Sequence, residues 1–266
     1  MFGADTLSFT GERKRHPPSR GWVAKLCRIT QDCLGHWYAS FVVRHEVETV
    51  LAAGGGVGID WGVSVTATTT EAEFDLPFLG HRKRCAAELA KAQRRMARRH
   101  SGKRGPQSGG YQRAARQVAK LHKKAARQTR HDSRVWAQRV VAAHGLIAVE
   151  DFRPRFLAKS TMARKAADAA IGGAKRELVE QGVRAGRRVV LVQPAFTSMT
   201  CSDCFARAKR PELCERTFRC PECGYTACRD RNAARVVLVV AERGHVSVED
   251  VRQVGHLLRV GGSVAV

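Results

Sequence analysis

Two Cys-x-x-Cys pairs, Cys201-Ser-Asp-Cys204 and Cys220-Pro-Glu-Cys223, stand with fifteen residues between them. Each pair turns two sulfurs toward one point, and four thiolates fill the tetrahedral shell of Zn²⁺. The spacing therefore predicts a zinc ribbon, with Cys201, Cys204, Cys220 and Cys223 as ligands. Four unrelated buried thiols are the alternative. A closed shell of four sulfurs offers no open position to a substrate, so the expected zinc is structural and its binding energy belongs to local folding. Cys27, Cys33, Cys85 and Cys214 read as plain thiols. Nine cysteines with four in metal spacing point to a reducing cytosol rather than a disulfide scaffold.

The charge narrows the partners. Forty-seven Lys and Arg against 24 Asp and Glu leave a formal +23 on 266 residues. Such an excess attracts polyanions, nucleic acid first among them. An anionic membrane surface is the competing reading. No segment has the apolar length of a transmembrane helix, and the N-terminus lacks the apolar core of a signal peptide. The expected location is the cytoplasm, at the nucleoid.

Residues 1–20 read as a basic lead. Residues 21–30 and 36–44 alternate as two strands around a hairpin loop at Asp32–Gly35, a small β unit. A glycine-rich join leads to Val57-Gly-Ile-Asp60-Trp-Gly62, read as a strand, a glycine break and a second strand. Residues 83–100 and 111–143 are helix candidates joined by a Gly- and Pro-containing loop. Each has a thin apolar seam: Leu89 and Met96, then Val118, Leu121 and Ala125. Their other faces carry Arg94, Arg95, Arg98, Arg99, Arg113, Arg116, Lys120, Lys123, Lys124, Arg127 and Arg130, with Glu88 opposing. A charge run is often only a solvated face. Here the scarcity of acids favours a hairpin that contacts phosphates and releases their counterions.

Gly145–Asp151 reads as a buried strand ending in carboxylates, and 153–160 as a basic loop. Residues 161–185 read as one helix weakened at Gly172-Gly173. Arg187–Gln193 is a further strand. A helix is expected from Asp230 to about Glu242, and residues 243–266 are left as an unassigned tail.

Three acids stand at strand or helix ends: Asp60, Glu150 and Asp230. Singly, each has an ordinary explanation: a turn cap, an Arg partner, a helix N-cap. Together they are what a two-Mg²⁺ phosphodiesterase needs. Hard oxygens suit Mg²⁺. Two ions about 4 Å apart stabilise the attacking and leaving oxygens of an in-line displacement.

These motifs in order, Gly58-Ile-Asp60-Trp-Gly62, Val149-Glu150-Asp151, Thr197-Ser198 with the two knuckles, and Arg229-Asp230-Arg231-Asn232-Ala-Ala, resemble the TnpB/OrfB proteins of insertion sequences. The resemblance covers about residues 21–242. It implies an RNA-guided DNA endonuclease that hydrolyses phosphodiesters with two Mg²⁺, using DNA and a guide RNA as partners. It implies an α/β RNase H-like (RuvC) domain over 57–242, with Asp60, Glu150 and Asp230 as metal ligands. The zinc ribbon (197–229) and a basic helical insertion (82–143) would lie inside that domain, with residues 21–50 as the last strands of a wedge β domain. Three departures stand out. The N-terminal wedge half and helical recognition domain of the family are missing, which reads as an N-terminal truncation. Phe205 replaces a knuckle glycine. Cys228 stands where the family has an acid, two residues before Asp230, and is a candidate competitor for zinc. The alternatives are a non-catalytic, nucleic-acid-binding remnant and a cut-and-paste transposase. The latter is disfavoured because its acids run Asp, Asp, Glu.

Overall fold

A computed structural model of the chain describes residues 26–42, 54–102, 105–153, 163–209 and 215–252. The basic lead, the basic loop over 154–160, Cys214 and the last part of the tail lie outside the described residues. The chain divides into a unit at Met1–Glu46 and a unit at Val47–Val266.

In the first unit, β1 (Leu26–Gln31) and β2 (Trp37–Val42) form an antiparallel hairpin. Asp32 closes the loop by accepting hydrogen bonds at one carboxylate oxygen from the backbone N–H groups of Leu34 and His36. This is the self-capping turn chemistry that favours Asp at such positions.

The second unit is built on a five-stranded sheet. Its strands are β3 (Gly56–Trp61), β4 (Val65–Thr69), β5 (Leu76–Pro77), β6 (Leu146–Glu150) and β7 (Arg188–Val192), in the order β5-β4-β3-β6-β7. β3 runs antiparallel to β4 and parallel to β6, which is parallel to β7. Three long helices cover the sheet: α3 (Gly109–Ala143), α5 (Ile171–Arg184) and α6 (Arg229–Glu242). Shorter elements are α1 (His81–Arg84), α2 (Ala86–Ala97) and α4 (Ala163–Ala169), with β8 (Thr217–Arg219) and β9 (Thr226–Cys228) in the ribbon.

Strand periodicity sorts the side chains onto two faces. Val57, Ile59, Trp61, Ile147 and Val149 pack with Trp136, Ala137 and Val140 of α3 and Ala174 and Leu178 of α5. Ala148 and Val192 pack instead with Val236, Val237 and Val240 of α6. Asp60 and Glu150 share the α6 face: Glu150 is two residues on from Ala148, and Asp60 two on from Gly58, the partner of Ala148 across the sheet.

On β3, that face has glycine at 56 and 58. A Cβ on Gly58 would lie 1.9 Å from the Ala234 carbonyl oxygen, and one on Gly56 would lie 2.8 Å from a Leu238 methyl. The helix backbone therefore rests directly on the strand. The partners step by four residues along α6 and by two along β3. Four helical residues rise about 6 Å and two strand residues about 6.6 Å, so the two ladders stay in step. One further step pairs Asp60 with Asp230. Gly58→Ala is expected to push α6 off β3 and to destabilise the fold by about 1–3 kcal/mol, the usual range for overpacking a core. A denaturant midpoint unchanged from the parent would contradict this close approach.

Two expectations need correction. The helix read over 161–185 is broken, and at Ala170 rather than at Gly172-Gly173. Ala170 takes a left-handed φ of 53°. Ala169 and Ile171 are both buried. At 100° per residue a continuous helix would aim them to opposite sides, so core packing forces the break. The tail is also part of the fold up to 252. Residues 248–252 are helical, Ser247 Oγ accepts from the Asp250 N–H, and Val248 and Val251 complete the α6 core. Ser247-x-x-Asp250 before an apolar residue is a capping signal.

Candidate active site and metal centre

Asp60 is the last residue but one of β3, and Glu150 ends β6. Their strands are in parallel register through Ile59 and Val149, so the two carboxyls stand one step further along, abreast on neighbouring strands. They are hydrogen-bonded to each other, and Asp230 adds its charge from α6. Burial, then repulsion from Glu150 and Asp230, holds the Asp60 carboxyl well above its ordinary range. Burial likewise raises Glu150 to about 7, against hydrogen bonds from the Thr197 hydroxyl and the Trp61 main-chain N–H that favour its charged form. Thr197 Oγ1 donates to Glu150 Oε1 at 3.1 Å. The Trp61 indole N–H donates to the Glu150 main-chain carbonyl at 3.0 Å.

Asp230 is in the first turn of α6. Its two oxygens face Arg229 Nε at 3.3 Å and Arg216 Nη1 at 3.6 Å. The next residue anchors the turn: Arg231 forms a two-pronged ion pair with Asp75 (3.0 and 2.9 Å), and Asp75 also accepts from Thr69. Lys175 of α5 pairs with Asp151, beside Glu150, and holds the Asp151 carboxyl below its ordinary value. Buried, mutually repelling oxygen donors of this kind fit a divalent cation such as Mg²⁺. Among the described residues, the three carboxylates are not drawn into a set tight enough for one ion, as the four cysteines are. The arginines facing Asp230 turn its oxygens to their own use.

The four cysteine sulfurs all lie within 4.8 Å of one another. Cys201 and Cys223 are 3.7 Å apart, and Cys204 and Cys220 are 3.5 Å apart. Sulfurs each about 2.3 Å from a tetrahedral zinc would be separated by roughly 3.8 Å, so the donor set fits that ion. Burial opposes ionisation of Cys220, but N–H groups of Cys223 and Glu222 and the Cys204 thiol bring it down to about 7. Burial pushes the Cys201 and Cys204 thiols up.

Cys228 is not in this cluster. It pairs with Thr217 across the β8–β9 hairpin and occupies the N-cap position of α6, which removes it as a rival ligand. Phe205 does adopt the strained knuckle conformation, φ 61°, where the second knuckle has Gly224 at 75°. Its ring compensates: it packs on the α6 core and lies under the Arg243 guanidinium, 4.8 Å away.

The ribbon is tied to α6 twice. β9 runs into α6 without a linker. Fully buried Asn232 donates to the Thr200 carbonyl at 2.7 Å and accepts from the Ser202 N–H at 3.0 Å, either side of Cys201. The sequence motifs contain Thr197 and Asn232 without giving either a role, and nothing in them points to Asp75 or Lys175. Only a glycine two residues before Asp60 hints at the helix lying above.

Arg94 and Arg95 on α2, Arg98 and Arg99 just after it, and Arg113, Arg116, Lys120, Lys124 and Arg127 on α3 are exposed, and Lys123 is half-buried. The C-terminal third of α3, with Trp136, Ala137 and Val140, is core, so this helix serves the sheet as well as the basic surface. No described helix is long and apolar enough to cross a membrane.

The mixed sheet with its covering helices is a fold also seen in solved Cas12f chains. The chain superposes on Cas12f1 in a cryo-EM complex with sgRNA and target DNA (TM-score 0.52, 14% identity, 81% of this chain, 45% of that one). A second Cas12f ternary complex matches equally (TM-score 0.52, 15% identity, 80% and 44%). The family described as "Probable transposase" (OrfB) matches residues 40–161, and the "Cas12f1-like, TNB domain" family matches residues 174–237. The chain is thus similar to the TnpB/OrfB family over most of its length. It is 30% identical to "Putative RNA-guided DNA endonuclease InsQ" of Escherichia coli (strain K12), over 81% of this chain and 56% of that protein. It is 28% identical to a "Putative RNA-guided DNA endonuclease" of Streptomyces pristinaespiralis, over 98% and 65%. The chain thus spans between about half and two thirds of the length of these relatives.

Proposed function

We propose that this chain carries the nuclease domain of an RNA-guided DNA endonuclease, with an RNase H-like (RuvC) core over residues 57–242. The observation that carries the reading is the sheet order β5-β4-β3-β6-β7 with Asp60 and Glu150 abreast and Asp230 above them on α6. Asp60, Glu150 and Asp230 are the Mg²⁺ ligands. Bound divalent cations would supply an activated water and charge stabilisation for phosphodiester hydrolysis. Thr197 and the Asp75–Arg231 pair hold two of the carboxyl-bearing elements in place. The tetracysteine site holds a structural zinc that seats α6. The basic faces of α2 and α3 bind phosphates of the guide RNA or DNA, with sequence chosen by base pairing.

The test is cleavage of target DNA by the purified chain with guide RNA and Mg²⁺, beside Asp60→Ala. Guide-dependent cleavage by the parent and none by the variant is expected. Equal cleavage by both would end the reading. No cleavage by either, with intact nucleic-acid binding, would favour a binding remnant.

A further inference from the structure

The layer of helices on the sheet face away from the carboxylates contains a cavity of about 520 Å³. Arg82 of α1, Arg130 and Arg134 of α3, and Arg176 of α5 line it, with Glu177 and Glu180 the acids in its wall. Among the described residues, four guanidiniums stand against two carboxylates in its lining. One acid is already committed, since Glu177 accepts from Arg134 Nε at 3.3 Å. Arg130 and Arg176 are exposed and have no carboxylate partner among the described residues.

Ser133 also lines the cavity. It is 1% exposed, and its hydroxyl has no hydrogen-bond partner. A buried hydroxyl normally finds one, and a helical serine usually bonds the carbonyl a turn back. An orphan hydroxyl among arginines is suited to an oxygen-rich anion. Planar guanidinium forks match phosphate oxygens in particular.

The surroundings favour a polymer over a small ion. Arg113, Arg116, Lys120, Lys124, Arg127, Arg130 and Arg134 recur along α3 at steps of three or four residues. At 100° per residue they fall within a stripe roughly 120° wide and about 30 Å long. That stripe runs into the cavity at its C-terminal end.

We propose that a nucleic-acid strand tracks the α3 stripe and seats one backbone phosphate in this cavity, bound by Arg130 and Arg176 and by the Ser133 hydroxyl. The site is separate from the carboxylates. It relies on the nucleic-acid reading above only for the identity of its ligand.

The test is equilibrium binding of a short single-stranded oligonucleotide to the full, zinc-loaded chain in buffer without Mg²⁺ or chelator, over a series of salt concentrations. For Arg130→Ala/Arg176→Ala, the plot of log affinity against log salt should be shallower by about 0.7, the counterion release of one single-strand phosphate. Ser133→Ala should weaken binding several-fold with the salt slope unchanged. It should also raise Tm, because it removes an unpaired buried hydroxyl. A serine with only a structural role would move Tm and leave affinity alone. An unchanged slope in the arginine variant overturns the proposal. So does protection of Tm by inorganic phosphate or a mononucleotide, lost in that variant, with polymer binding unaffected. Those results leave the nuclease reading intact. Failure of every variant and the parent to bind any polynucleotide would remove both.

Discussion

Asp60→Asn is expected to abolish Mg²⁺-dependent cleavage and to make the Mg²⁺-free protein more stable above pH 7. The two effects have one cause. Asp60 carries a charge that burial opposes and that Glu150 and Asp230 repel. Asparagine keeps the shape and removes the charge. The pH dependence follows from the raised folded-state values. Glu150 ionises near its ordinary 4.5 in the unfolded chain and near 7 in the fold. Between those values the folded state holds a proton that the unfolded state has released, so stability falls as pH rises across that window. It is lowest, and level, above it. For Glu150 alone the loss is on the order of 3 kcal/mol. With zinc in place and no Mg²⁺ added, the parent's Tm should therefore drop between pH 4.5 and 7. Asp60→Asn should exceed it by several degrees at pH 8, at roughly 2–4 °C per kcal/mol for a chain of this size. Adding Mg²⁺ should recover stability in the parent and little in the variant. A variant that cuts normally, with the parent's Tm at every pH, would show that these carboxyls neither repel one another nor do chemistry.

Cys220→Ser should cost the chain its zinc and, with it, cleavage, although position 220 is outside the carboxylate cluster. A serine hydroxyl stays protonated at neutral pH and leaves three thiolates for a four-coordinate ion. Structural zinc contributes on the order of 10 kcal/mol to the folding of small ribbons. Without it, the first knuckle loses the backbone that Asn232 grips through Thr200 and Ser202. β9 then no longer leads Arg229 and Asp230 into a fixed first turn. Metal analysis should find zinc near one per chain in the parent and near none in the variant. Hydrogen exchange should rise through the first turns of α6 while β3 and β6 stay protected. Zinc content unchanged by the substitution would exclude Cys220 as a ligand.

Much of this site is legible in the amino-acid sequence, and the reasons are local. A knuckle is a short-range device, so the spacing of Cys201, Cys204, Cys220 and Cys223 is visible in the chain. The β3 and β4 strands, β6 and α6 each carry their own period or cap. The break at Ala170 is not legible, because it reconciles Ala169 and Ile171 with one core. Helix 248–252 does have a local signal, the Ser247 and Asp250 capping pair, but it is a short one set in a weakly patterned tail.

The cavity at Ser133 has no sequence signal. Its arginines come from three helices far apart in the chain. A serine in a basic helix looks solvated until neighbouring helices bury it.

By itself, the order of residues determined which donors exist: four thiols in ribbon spacing, three carboxyls at element ends, and a helix striped with arginine and lysine. Tertiary structure decided which of them meet. The parallel register of β3 and β6 sets Asp60 beside Glu150. Glycines 56 and 58 let α6 settle onto the strand and bring Asp230 down to them. That outcome depends on a backbone-to-backbone contact between Gly58 and Ala234, 176 residues apart, and steric fit of that kind exists only once the chain has folded.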